Sequence, residues 1–309
     1  MKASSRVLVR AHAKINVSLH VGPVRPDGFH PLHTVFQSLA LHDTLEVKVR
    51  RGPFTLTSSD PAVPADGRNL VARAAEALWT LLGRAGPPSG VAIHLAKQIP
   101  VQAGLGGGSS DAAAALVALA RAWRTRLTLN DLMQLAARLG ADVPYFLVGG
   151  TALGLGRGDD LYPLEDLAPQ HVVLAFPGFG VSTADAYRWF DEDRGRRAAA
   201  IETDVEPQIV PAWPGLELGV VNDLERPVAR RHPDIGSIRR VLGGSGARAS
   251  AMTGSGSAVF GLFGTREAAR RGALAVGQAG HLALVTRTVD RRTCQRVHFL
   301  IASSSPRHA

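Results

Sequence analysis

Gly104-Leu105-Gly106-Gly107-Gly108-Ser109-Ser110-Asp111 stands between an alternating stretch, GVAIHLA (90–96), and an alanine-rich run, AAAALVALARAW (112–123). The alternation predicts a strand and the apolar run a helix, so the glycines form a strand-to-helix turn within KQIPVQAGLGGGSSD (97–111). Four glycines let backbone amides approach an anion closely, because no Cβ intervenes. The helix that follows adds unsatisfied N–H groups and the positive end of its dipole. Ser109 and Ser110 offer hydroxyls to phosphate, or an oxygen ligand to Mg²⁺. A flexible linker is the plain alternative, but linkers rarely join a strand to a strongly apolar helix.

Two familiar phosphate loops are excluded. No GxxxxGK[ST] occurs, and the dinucleotide fingerprint is matched only loosely. The acid that fingerprint needs about twenty residues on falls where Asn130 and Asp131 open another helix.

Three further segments carry chemistry. Lys14 lies among apolar residues in RVLVRAHAKINVSLHV (6–21), an alternating stretch that predicts a long strand or two strands joined by a bulge. An unpaired charge is costly to bury, and an edge lysine facing water is the bland reading. Asp142 in GADVPYF (140–146) follows a helix and precedes Pro144, where a simple turn aspartate is the alternative. Gly254-Ser255-Gly256-Ser257 lies between strand patterns at 247–263 and by itself suits a hairpin turn.

The rest of the chain supplies context. Its 309 residues allow two medium domains, and 45% hydrophobic with 20% charged residues is ordinary for a globular protein. The formal charge of +9 is scattered, without a basic stripe interleaved with aromatics, which favours an anionic small molecule over nucleic acid. Cys294 is the one cysteine, so no intrachain disulfide or cysteine zinc site forms, and a reducing, cytoplasmic setting is expected. The first ten residues read as no signal peptide. No apolar stretch reaches the roughly 20 residues of a membrane span.

The pattern predicts paired strands within 34–50 turning near His42 and Asp43, and helices over 69–82, 130–139, 183–190, 222–231, 235–242 and 266–278. Further strands are expected near 145–148, 151–155, 171–176 and, last, 283–288, with a polar mobile insert at 191–215. A β-rich beginning followed by mixed elements suits an α+β architecture in two lobes.

In order along the chain, AKINVSLHV (13–21), PVQAGLGGGSSDAAAAL (100–116) and MTGSGSAVFGLF (252–263) resemble the N-terminal, phosphate-binding and C-terminal glycine motifs of the GHMP kinase superfamily. AKIN, RPDGFHPLHTVFQSL (25–39) and GADVPYF further resemble its branch acting on a cytidine-diphosphate-bearing polyol.

The resemblance implies a two-lobed GHMP kinase fold. Residues 1–168 would form an ATP-binding domain and 169–303 a substrate domain, with the active site in the cleft between them and a disordered tail at 304–309. It implies transfer of the ATP γ-phosphate to the 2-hydroxyl of an erythritol unit, with Mg²⁺ as cofactor and no nucleic acid or membrane partner. Lys14 and Asp142 would be the catalytic pair, an arrangement in which the aspartate accepts or orients the hydroxyl proton and the lysine keeps it ionised.

Gly104 to Ser110, Asn69, Lys97, Gly254 and Ser255 would hold ATP, with Ser110 the candidate metal ligand. A helix cap and a solvated lysine are the alternatives for Asn69 and Lys97. Asn16, Phe29, His30, Thr183 and Tyr187 would hold the substrate, His30 reading the cytosine edge while Phe29 and Tyr187 sandwich the ring. Relatives commonly carry tyrosine where Phe29 stands, so stacking survives and a hydroxyl is lost. A mevalonate, homoserine or sugar kinase, and a catalytically silent sensor on the same fold, are the competing readings.

Overall fold

The computed structural model describes residues 6–166, 168–198, 220–295 and 298–300. Alternation along β1 (Arg6–Val21) drives one long strand, which pairs antiparallel with β2 (Leu32–Pro53). Then follow β3 (Thr55–Ser58), α1 (Leu70–Leu81) and β4 (Ser89–Ala96). Next come α2 (Gly107–Ala122), α3 (Leu129–Leu139), α4 (Val143–Val148), β5 (Thr151–Gly156) and β6 (Asp160–Pro163). The second half runs β7 (His171–Phe176), α5 (Thr183–Ala198), β8 (Val221–Asn222), α6 (Glu225–Arg231) and α7 (Asp234–Gly244). It ends with β9 (Ala249–Met252), β10 (Val259–Phe263), α8 (Arg266–Gln278), β11 (Leu282–Arg287), α9 (Arg291–Cys294) and β12 (His298–Leu300).

Among the described residues two sheets form. The first runs β12-β1-β2-β4-β3, with β5 also on β2, β6 on β5, and β8 beside β1. The second is β11-β7-β10-β9. Helices α1, α2 and α3 bury their apolar faces on the first sheet through Val71, Leu78, Leu116, Leu119 and Leu135. Helices α7 and α8 cover the second sheet through Ile238, Leu242, Ala269 and Val276. A third core joins the sheets: Ala13, Ile15 and Val17 of β1 pack with Val172, Leu174, Ala251 and Phe260. Side chains alternate across a strand, so the same strand sends Lys14 and Asn16 to the opposite face. With both faces covered, Ala11 to Val17 are all buried.

Several expectations change. Residues 34–50 are one strand, not two. Where a turn was expected, the β1–β2 register jumps from His12↔His42 to Lys14↔Ser38, a bulge that the ladder absorbs. Residues 145–148 are helical in α4, because Pro144 sits in the first turn, where a missing N–H costs nothing. The helix after the glycine loop begins at Gly107, five residues earlier than the apolar run suggests. Left-handed Gly106 turns the chain there, and Ser110 N–H donates to Gly106 O at 2.9 Å. Asn222 belongs to β8, and β12 follows β11 in the chain. Residues 191–198 continue α5, whereas the rest of the expected insert and the tail at 304–309 lie outside the described residues.

Candidate active site

The β2 bulge opposite Lys14 interrupts the ladder, and the freed Lys14 N–H donates to Leu105 O of the glycine loop at 3.0 Å. This ties the lysine strand directly to the loop. Leu105 is itself buried in the inter-sheet core, so the loop is anchored from below. Gly106 is the N-cap of α2 with no side-chain cap. The amides of Gly107, Gly108 and Ser109 precede the first intrahelical bond, leaving an anion-seeking helix end.

The loop between β9 and β10 closes on this turn. A Cβ on Gly104 would lie 2.1 Å from Thr253 O, and one on Gly254 would lie 3.0 Å from Gly104 O and 3.2 Å from Lys14 Nζ. Only glycine permits two backbones this close at positive φ. Asn222 fixes the second loop, donating from Nδ2 to Met252 O (2.7 Å) and Gly254 O (2.8 Å). Thr183 Oγ1 meets Ser255 Oγ at 3.2 Å, so α5 reaches the same place.

At the centre, Lys14 Nζ donates to Asn16 Oδ1 at 2.6 Å and stands 3.7 Å from Asp142 Oδ2. The ammonium is buried, while the carboxylate is 39% exposed toward the cleft. Burial pushes the Lys14 ammonium below its usual range, and the Asp142 charge opposes that shift. Asp142 is placed at the N-terminus of α4, held in turn by Tyr145, whose hydroxyl donates to Gly150 O at 2.7 Å and meets Ser38 Oγ at 2.7 Å. Such a pair can take a proton at the carboxylate and neutralise an anion at the ammonium.

A second cluster lies beside it. His30 Nδ1 donates to Gly22 O at 2.9 Å, and Nε2 is 3.3 Å from Asp191 Oδ2 of α5. Tyr187 packs on His30 at a ring separation of 5.1 Å, and Phe190 meets it edge-on at 5.9 Å. Burial, and then the Asp142 charge, push the Tyr187 phenol up to about 12, which links this cluster to the Lys14–Asp142 pair. Phe29 is 45% exposed and lies under the Arg157 guanidinium at 3.9 Å.

Other expected contacts are occupied within the protein. Asn69 is the N-cap of α1, accepting from Val71 N (2.9 Å) and donating to Pro64 O (2.7 Å). Lys97 is neither solvated nor free; it pairs with Asp43 and, at 2.9 Å, with Asp111. Asn16 is buried, donating from Nδ2 to Thr34 Oγ1 (2.7 Å), so its amide orients Lys14. Ser110 is buried too, and its hydroxyl donates to His12 O at 2.7 Å. Sequence reasoning missed Asp43, Thr34, Arg157, Asp191 and Asn222; Thr34 lies within the 25–39 motif without being singled out, the others sit in no distinctive motif, and only long-range pairing brings them to the site.

Among the described residues no trio of His, Cys, Asp or Glu side chains is placed to hold a metal ion. With the Ser110 hydroxyl committed as well, a protein-built Mg²⁺ cage does not fit these residues. Nor is any described helix long and apolar enough to cross a membrane.

Comparisons with known proteins identify the family. The GHMP kinases N terminal domain matches residues 69–150, and the GHMP kinases C terminal domain matches 214–282. The 4-diphosphocytidyl-2-C-methyl-D-erythritol kinase of Pelotomaculum thermopropionicum is 42% identical over 91% of this chain and 98% of its own. That of Anaeromyxobacter dehalogenans is 43% identical over 93% and 92%. A crystal structure of 4-(cytidine 5'-diphospho)-2C-methyl-D-erythritol kinase superposes with a TM-score of 0.71 at 37% identity, over 91% of this chain and 98% of that one. Homoserine kinase from Cytophaga hutchinsonii shares the fold, with a TM-score of 0.65 at 21% identity. An uncapped helix end, a buried lysine against an exposed aspartate and relatives matched over nine-tenths of the chain lead to one conclusion: this two-lobed α+β chain belongs to the GHMP kinases, in the 4-diphosphocytidyl-2-C-methyl-D-erythritol kinase family.

Proposed function

We propose that the chain transfers the γ-phosphate of ATP to the 2-hydroxyl of 4-diphosphocytidyl-2-C-methyl-D-erythritol, giving the 2-phosphate and ADP. The observation that carries this reading is the Lys14–Asp142 pair, 3.7 Å apart, beside the uncapped N-terminus of α2. Asp142 accepts the hydroxyl proton as the substrate oxygen bonds to the γ-phosphorus and the bond to the bridging oxygen breaks. Lys14 keeps Asp142 ionised and offsets charge on the transferring group. The amides of Gly107, Gly108 and Ser109 cradle the nucleotide phosphates, with Gly254 and Ser255 closing the other side. Mg²⁺ supplied with ATP would offset phosphate charge, and no acidic cage among the described residues would hold it.

His30, Tyr187 and Phe29 receive the cytosine end of the substrate. In this reading the two lobes divide near Ala168, between β6 and β7, and the substrate lies in the cleft between them. Asn69 and Lys97 act behind the nucleotide site, as a helix cap and a buried counter-ion.

The test is an ADP-release assay with 4-diphosphocytidyl-2-C-methyl-D-erythritol, homoserine and mevalonate. Turnover is expected with the cytidyl substrate alone, and Asp142→Asn is expected to lower kcat by at least about a hundredfold. Comparable turnover of mevalonate or homoserine would overturn the substrate, and an undiminished Asp142→Asn would overturn the base.

A further inference from the structure

A groove of about 710 Å³ opens away from the catalytic pair, between the β2 bulge, the edge strand β11 and helix α8. Ala40, Leu41 and Leu284 give it an apolar wall, and Arg266, Arg270, Arg287 and His171 give it a basic one. Arg266 and Arg270 stand one turn apart on α8 and so share a face. Arg287 and His171 are direct partners across the β11–β7 ladder. The three guanidiniums therefore converge from two elements onto one space.

None of the three arginines makes an ion pair among the described residues. Arg188, Arg230, Arg231 and Arg239, on α5 to α7, each have a carboxylate within reach. Three like charges around one groove repel each other, and a bound anion relieves that repulsion. Guanidinium forks match phosphate oxygens in geometry as well as charge. The groove is open to solvent, and its volume lies within the range of small-molecule sites.

We infer that this groove is a second ligand site, separate from the nucleotide cleft, that takes a phosphate ester with a short apolar portion. The phosphate group lies among Arg266, Arg270 and Arg287, and the apolar portion lies on Leu41 and Leu284. The groove also sits on the joint between the sheets. Leu41 N–H donates to Thr286 Oγ1 at 3.1 Å, and Leu39 bridges Thr288, so an occupant touches both lobes at once.

The experiment is calorimetric titration of n-octyl phosphate into the full chain with the nucleotide site saturated by a non-hydrolysable ATP analogue. Binding is expected in the native protein, weakened at least tenfold in Arg266→Gln/Arg270→Gln/Arg287→Gln. That variant should keep the native ATP KM and melting temperature, since these side chains are outside the catalytic site. The single substitution Arg270→Glu, read in the same way, serves if the triple variant is unstable. Absence of binding to the native protein, or binding to the variants as tight as to the native protein, overturns the site. Inorganic phosphate binding as tightly as the octyl ester overturns the apolar half of the assignment.

Discussion

Lys97 Nζ lies 2.9 Å from Asp111 Oδ2, both side chains buried beneath the second turn of α2. Asp43 shares the same ammonium and accepts the amide of Ile99 at 2.8 Å. Two carboxylates thus face one lysine, and Asp111 Oδ1 has no hydrogen-bond partner. Burial, and then the Asp43 charge, push the Asp111 carboxyl from its ordinary 3.8 up to about 7, against the pull of Lys97. The folded state therefore holds a proton across that window which the unfolded state has released. This contribution to stability is present below about pH 4 and is lost as the pH rises through 7. Asp111→Asn removes the titrating group while leaving Lys97 paired with Asp43. Thermal melts from pH 5 to pH 8 should fall less steeply in the variant, which at pH 8 should melt no lower than the native chain. A loss of more than about 5 °C at pH 8 would mean that the ionised carboxylate is the stabilising form.

Lys14 is the complementary case. Burial lowers its pKa, so between the lowered value and the ordinary 10.5 the unfolded chain binds more protons, and stability rises with pH across that window. Lys14→Met keeps the volume and removes the buried charge. Melting temperature should be kept or raised while kcat falls by about 10²–10³, the scale of losing one electrostatic contact to the transition state. Steady-state kinetics and a melt on the same preparation check both halves.

Glycine positions divide by their surroundings. Gly104→Ala places a methyl 2.1 Å from the Thr253 carbonyl at a φ of +74°, so the two loops must separate. A cost of about 2–4 kcal/mol and a raised ATP KM are expected. Gly236→Ala in α7 meets nothing within 4 Å and should stabilise by about 0.5–1 kcal/mol. Urea denaturation of both variants distinguishes a local clash from a general intolerance of alanine.

Asp191 orients His30 from α5. Asp191→Ala should raise KM for the cytidyl substrate several-fold more than it lowers kcat, with ATP KM unchanged. His30→Ala should show the same split more strongly. An equal fall in kcat for both would place the histidine in the chemistry instead.

The glycine-serine turn at 104–110 was legible because its signal is local: glycines and serines between a strand pattern and a helix pattern need no distant partner to be understood. The alternation of 6–21, the helix beginning at Asn69 and the β9–β10 turn are local in the same sense, and the order of these motifs carried the family resemblance. The division of labour around them was not legible. Lys97, Asn16 and Ser110 looked like ligand contacts, yet each side chain is held by a partner distant in sequence, while Asn69 takes the local helix-cap role that was its alternative reading. Asp43 suggested a turn and is instead a buried counter-ion, reached only when β2 is laid beside β1 and β4.

By itself, then, the sequence determined the α+β class, and it offered the 104–110 loop as an anion-binding candidate with Lys14 and Asp142 as candidates beside it. The tertiary structure decided that those two meet at 3.7 Å, that Thr183 reaches Ser255, and which polar groups remain for substrate. The physical reason is that propensity and periodicity act over a few residues. Ion pairing, desolvation and backbone approach depend on distances that only chain closure sets, as between Lys14 and a helix end 128 residues later, in residue numbering from 14 to 142.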